Sequence, residues 1–142
     1  MDNEPVSEHL TVRVSQRLQK ELAAVARRRG VAPTTLVRTY LDEGVRMDHF
    51  PGVVFRDRAG GRQAGLAGRR LDIWQVIETL RASDGNVDET ADYLRLRPDQ
   101  VRTALAYAAD FPDEVESAIR ANREEAERAQ EAETRQRALL GR

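Results

Sequence analysis

The chain has no cysteine, only two histidines, and no long apolar run in 142 residues. Without cysteine there is neither a disulfide framework nor a thiolate metal site, and a reducing, cytoplasmic compartment is expected. No stretch approaches the roughly 20 apolar residues of a membrane span, and the acidic start Met1-Asp2-Asn3-Glu4 does not read as a signal peptide. His9 and His49 are the only imidazoles available for acid–base chemistry. Asp72, Glu78, Asp88 and Glu89 do not converge, by spacing, on a recognised metal site. Gly60-Gly61 is not followed by the Gly-Lys-Ser/Thr ending of a phosphate-binding loop. No enzymatic activity, no metal and no cofactor are expected.

A large charge of one sign is also missing: the formal net charge is −1. Its distribution is uneven. Arg13, Arg17, Lys20, Arg27, Arg28 and Arg29 make the head basic, whereas Asp113 to Glu133 is rich in acids. Such a split suggests two tasks on one chain.

The pattern of residues supplies the elements. From His9 to Ser15, Leu10, Val12 and Val14 alternate with His9, Thr11, Arg13 and Ser15, which predicts a short half-buried strand. Ser15 is placed to N-cap a helix bearing Leu18, Leu22, Val25 and Ala26, and Gly30 to end it. Pro33 opens a second helix with an apolar stripe of Leu36, Val37, Tyr40, Leu41 and Val45. One strand and two short helices cannot bury their own apolar faces, so pairing with a second copy is expected.

Asp48 to Gly52 reads as a linker. A hairpin follows, with a strand at Val53–Phe55, a turn over Asp57–Gly61 and a weaker strand from Arg62 to Ala67. Leu71 to Leu80 predicts a helix, broken by Asp84-Gly85-Asn86. Val87 to Leu94 predicts another, then Arg95-Leu96-Arg97 a tight turn and Pro98 a third helix that ends at Phe111-Pro112. Asp113 to Leu140 reads as one long helix rich in Ala, Glu and Arg, apolar only at Val115, Ala118, Ile119, Ala126 and Ala129. No internal repeat is present.

Taken alone, the outward row His9, Thr11 and Arg13 would be an ordinary solvated strand face. In a paired ribbon it becomes a surface of hydrogen-bonding side chains that fits the major groove. Arg13 can bridge guanine O6 and N7, and Thr11 can reach a base edge or a thymine methyl. At the start of the second helix, Pro33, Thr34 and Thr35 lie where free N–H groups and the dipole favour a phosphate. The segment Thr90 to Val101 has the cadence of a helix-turn-helix. Arg69, Arg70, Arg97, Gln100 and Arg102 mark a second DNA or partner surface there. Asp99 and Asp110 would repel phosphates, which favours packing or partner binding at that unit over reading DNA.

His9 to Met47 resembles the ribbon-helix-helix family of the Arc, MetJ and CopG repressors and many antitoxins. The resemblance rests on Leu-Thr-Val-Arg-Val at 10–14, Gly30 between the helices, and Leu36-Val37-Arg38. It implies that His9, Thr11 and Arg13 read bases and that the backbone at Thr34 clamps a phosphate. Pro33 is a departure: it lacks an N–H near the clamp, which passes the contact to Thr34 and Thr35. Residues from about Gly52 to Tyr107 resemble the bacterial domain of unknown function 433. That resemblance rests on Ala67-Gly68-Arg69-Arg70-Leu71, Trp74-Gln75-Val76-Ile77 and Val101 to Tyr107. Here Gly68-Arg69-Arg70 departs from a common Gly-Thr-Arg. This second likeness implies an antitoxin-like partner of a PIN-like nuclease toxin.

The expected architecture is mainly α: a ribbon-helix-helix dimer with an appended hairpin plus helix-turn-helix-like helical domain and a long C-terminal helix. The expected divisions are a flexible N-terminus (1–8), a DNA-binding and dimerisation domain (9–48), the helix-turn-helix-like domain (52–111) and the C-terminal helix (112–142). The expected function is an autorepressing, sequence-specific DNA-binding regulator that neutralises a toxin through residues 112–142. Two alternatives stand beside it: a free-standing transcription factor without a toxin, and a protein-interaction module whose appended domain is the main binding surface.

Overall fold

The computed structural model describes residues 8–141. The expected flexible N-terminus, 1–8, lies outside the described residues apart from Glu8. The chain is mainly helical with one small antiparallel sheet, and it separates into two compact units between His49 and Phe50. Among the described residues, no helix is long and apolar enough to cross a membrane, and no three potential metal ligands gather at one place.

The first unit contains α1 (Gln16–Arg29) and α2 (Pro33–His49). Ser15 starts α1: its backbone is extended and its hydroxyl oxygen accepts the Leu18 N–H at 3.1 Å. Gly30 ends it in the left-handed region at φ 67°, returning its N–H to the carbonyls of Ala26 and Arg27. Arg27, Arg28 and Arg29 in the last turn complement the negative end of the helix dipole. The helix α2 continues through Asp48 and His49, so the expected linker loses its first two residues.

The second unit begins with a hairpin of β1 (Val53–Arg58) and β2 (Gly61–Leu66), in register from Val53 opposite Leu66 to Arg58 opposite Gly61. The expected turn over 57–61 is in fact a two-residue connection, Ala59-Gly60. The strands extend further because their ends have partners: Asp57 pairs across with Arg62 at 3.1 Å, and Arg58 reaches Asp72. Four helices follow: α3 (Ile73–Ala82), α4 (Val87–Leu94), α5 (Pro98–Asp110) and α6 (Pro112–Leu139). The helix expected from Leu71 starts later. Asp72 is its N-cap, and its backbone N–H is accepted by the Gln75 side chain at 2.8 Å.

The core of this unit joins Val53 and Leu66 from the hairpin to Ile73, Val76 and Ile77 of α3, Val101, Ala104 and Tyr107 of α5, and Val115 and Ile119 of α6. Phe50 stands edge-on to the fully buried Tyr107 at 5.3 Å, and Phe111 lies 4.8 Å from the same ring. Each such buried side chain contributes on the order of 1.5–3 kcal/mol. The early turns of α6 are therefore part of this core, and the helix is not a separate segment from 112 onward. From Arg123 to Gly141 its side chains are exposed, Ala132 alone being half-buried.

Candidate nucleic-acid interface

The residues expected to read DNA, His9, Thr11 and Arg13, are all exposed. So are the alternate residues: Leu10 is 76%, Val12 61% and Val14 44% accessible. The strand expected over 9–15 is not formed in the single chain. A strand is defined by ladder hydrogen bonds, and the first unit has no other strand among its described residues to supply them. The alternation persists without its partner.

The helix pair behind this segment has little interior. Ala26 and Leu36 are its only apolar side chains below a tenth exposed, while Leu41, Val45 and Met47 remain open on α2. Arg29 lies 5.8 Å from the centre of the Tyr40 ring, linking the end of α1 to α2. At the start of α2, Pro33, Thr34 and Thr35 are exposed. Pro33 has no N–H, and Leu36 N–H already bonds to the Ala32 carbonyl at 3.1 Å. The backbone N–H groups of Thr34 and Thr35 have no protein acceptor among the described residues. The donors at this helix end thus fall to the two threonines.

The second group of expected site residues is divided by the structure. Arg69 is held inside its own domain: its guanidinium donates to the carbonyls of Leu94, at 2.9 Å, and Arg95. These carbonyls end α4, where Arg95 takes the left-handed conformation at φ 56°. A cation there satisfies orphan acceptors and the negative end of the dipole. Arg97 is engaged with Asp99, Nε to Oδ1 at 3.0 Å, and its backbone N–H is accepted by Gln100 Oε1 at 2.9 Å. The Arg97 hydrogen bond holds the Asp99 carboxyl below its ordinary pKa, so an anion stands at the start of α5. Arg70 and Arg102 alone of the five are exposed and without such ties among the described residues. The N-terminus of α5 is poorly suited to a polyanion.

Sequence reasoning missed a tighter cluster at the hairpin. Val54, Arg56 and Arg58 share one face of β1, and both arginines approach Asp72, which is 5% exposed. Arg58 makes the short contacts, and this carboxylate raises its guanidinium pKa above the ordinary value by hydrogen bonding and charge. Arg56 Nη1 is 4.0 Å away, and Nη2 donates to the Leu66 carbonyl. The alternation of two arginines along β1 was the available signal, but their common partner lies beyond the hairpin. This cluster ties the hairpin to the start of α3.

Comparison of the chain with protein-family models, with curated proteins and with solved structures found no match.

Proposed function

We propose that residues 9–48 form half of a ribbon-helix-helix dimer that binds double-stranded DNA sequence-specifically, and that the chain is a transcriptional repressor of its own expression. The carrying observation is the exposed row Leu10, Val12 and Val14 beside a helix pair with two buried apolar side chains. Completing the burial of six such side chains, on average about 60% exposed, contributes on the order of 5–11 kcal/mol. That range meets the association cost of on the order of 4–15 kcal/mol, and Leu41 and Val45 add further apolar surface. Turning this row inward turns His9, Thr11 and Arg13 outward together. The ribbon then offers base-reading side chains to a major groove, and Thr34 and Thr35 offer N–H donors to a phosphate.

The proposal extends to an antitoxin that neutralises a PIN-like nuclease. Its support is the exposed second half of α6, a polar helix with acids available to a basic surface. A free-standing repressor would use the same DNA contacts. Purification from the native cell followed by mass spectrometry separates these two, since only the antitoxin brings down a nuclease.

Arg13→Ala tests the DNA-binding function. A good base contact is worth about 1–3 kcal/mol, and a symmetric dimer loses it twice. Sedimentation should show an intact dimer while operator binding falls at least tenfold. Equal affinity for wild type and variant at matched salt refutes the ribbon assignment.

A further inference from the structure

A groove of about 770 Å³ lies in the second unit, lined by the end of α3, the outer face of α4 and Arg123 of α6. Its two cations are already matched. Arg81 is bonded to Glu116, and Arg123 Nε lies 3.7 Å from Glu78 Oε1. The Glu89 side chain, also in the lining, forms no ion pair among the described residues. Glu89 and Tyr93 stand four residues apart on α4, on one side of the helix. Tyr93 is 79% exposed, whereas Thr90 and Ala91 of the same helix are buried in the core. The fold therefore makes little use of the Tyr93 ring.

The groove lining holds both signs, with Arg81 and Arg123 each matched by a carboxylate, but the charge on α4 has one sign. Asp88 and Asp92 are exposed on α4 and, like Glu89, form no ion pair among the described residues. This surface repels nucleic acid and attracts cations. An aromatic face beside an unmatched carboxylate suits a guanidinium or ammonium, which gains a cation–π contact and a charge-assisted hydrogen bond together. The groove is open along its length, which suits a segment of chain better than an enclosed small molecule.

We infer that this groove docks a basic segment of a partner protein, with one arginine or lysine side chain seated between the Tyr93 ring and the Glu89 carboxylate. The inference is independent of DNA binding by residues 9–48. The bound segment would cover the α3–α4 face and Arg123, leaving the residues of α6 after Arg123 uncovered.

The experiment is an NMR titration of the isotopically labelled full chain with the capped peptide Arg-Ala-Arg-Ala-Arg. The same peptide with glutamate for arginine serves as a control, and free spermidine forms a separate arm. Shifts should concentrate at Glu78–Ser83 and Glu89–Tyr93. Tyr93→Ala and Glu89→Gln should each weaken binding about two- to fivefold, the size of an exposed cation–π or charged contact. Both side chains are exposed, so the fold should survive their loss. Glu131→Gln removes the same charge from the free half of α6 and should change nothing. No shifts at millimolar peptide would overturn the inference. So would equal loss in Glu131→Gln, unchanged affinity in Tyr93→Ala, or shifts spread evenly over the acids of α6. Equal binding of spermidine at the same residues would overturn the choice of a peptide.

Discussion

Arg58, the last residue of β1, closes on Asp72, the N-cap of α3: Nη2 lies 2.8 Å from Oδ1, and Nε lies 3.2 Å from each carboxylate oxygen. The tip of the hairpin is thereby tied to the start of a core helix. Asp72 is almost wholly buried, while the Arg58 side chain retains 39% of its exposure. Loss of the arginine leaves a buried carboxylate, which costs more than loss of an exposed cation. Arg56 is close enough to change that result.

The first prediction concerns these two arginines. Arg58→Ala should cost about 1–2 kcal/mol, because Arg56 can move the short distance to Asp72. The double variant Arg56→Ala/Arg58→Ala should lose more than the two single losses added together, since Asp72 then has no cation. Urea denaturation of the four proteins measures the coupling. Strict additivity would show that Arg56 does not substitute.

The second prediction concerns Gly65, opposite Val54 in the hairpin. A Cβ there would come within 2.3 Å of Arg56 Nη1 and 3.0 Å of the Leu71 carbonyl oxygen. The arginine end can give way, whereas the Leu71 oxygen is backbone and leaves the Cβ in tight contact. Gly65→Ala should destabilise the second unit by about 1–3 kcal/mol, the usual cost of overpacking. In an Arg56→Ala background the penalty should shrink, because the nearest obstacle is gone. Thermal unfolding of both variants decides it.

The third prediction is a pH dependence at Glu116. Its bond to Arg81 lowers its carboxyl pKa from the ordinary 4.5. A depressed folded pKa means that the stabilisation is full above the unfolded value and is lost as pH falls through the folded one. The loss therefore lies below about pH 4.5, and it is small because the pair is exposed to solvent. A carboxyl NMR titration should show the Glu116 midpoint rising toward its ordinary value in Arg81→Ala. A midpoint that stays put would assign the shift to another group.

The fourth prediction locates the truncation that separates binding functions. Removing 113–142 would strip Val115 and Ile119 from the core and unfold the second unit. Ending the chain after Arg123 keeps both and removes five acids and four arginines. Operator affinity should then stay equal or rise slightly, because the change removes a net single negative charge and exposed charges are screened by salt. The toxin of the proposed antitoxin reading should be lost. A collapse of DNA affinity would place the free half of α6 in the DNA-binding function.

The element boundaries were largely legible because local chemistry writes them. Ser15 accepts a hydrogen bond three residues on, and Gly30 takes a left-handed turn. Pro33 and Pro98 each open a helix where a missing N–H costs nothing. These effects act over a few residues, so the order of residues reveals them. The same holds for the alternation from His9 to Val14, which is a property of side-chain order whether or not a partner strand is present. The sheet turn and the start of α3 were less legible. Both depend on Asp72, whose role as N-cap and as the partner of Arg58 cannot be seen in either neighbourhood alone.

What the sequence by itself determined is the run of helices, the caps that punctuate them and the alternation of apolar and polar residues at the head. What only the tertiary structure decided is which charges are available. Arg69, Arg70 and Arg102 look alike in the sequence, but Arg69 is consumed by the carbonyls at the end of α4, 25 and 26 residues away. Likewise the sparse apolar positions of α6 look alike in the sequence, yet Val115 and Ile119 enter the core while Ala126 and Ala129 stay exposed. Helix propensity is set within a few turns, whereas burial and ion pairing depend on which distant surfaces the fold brings into reach.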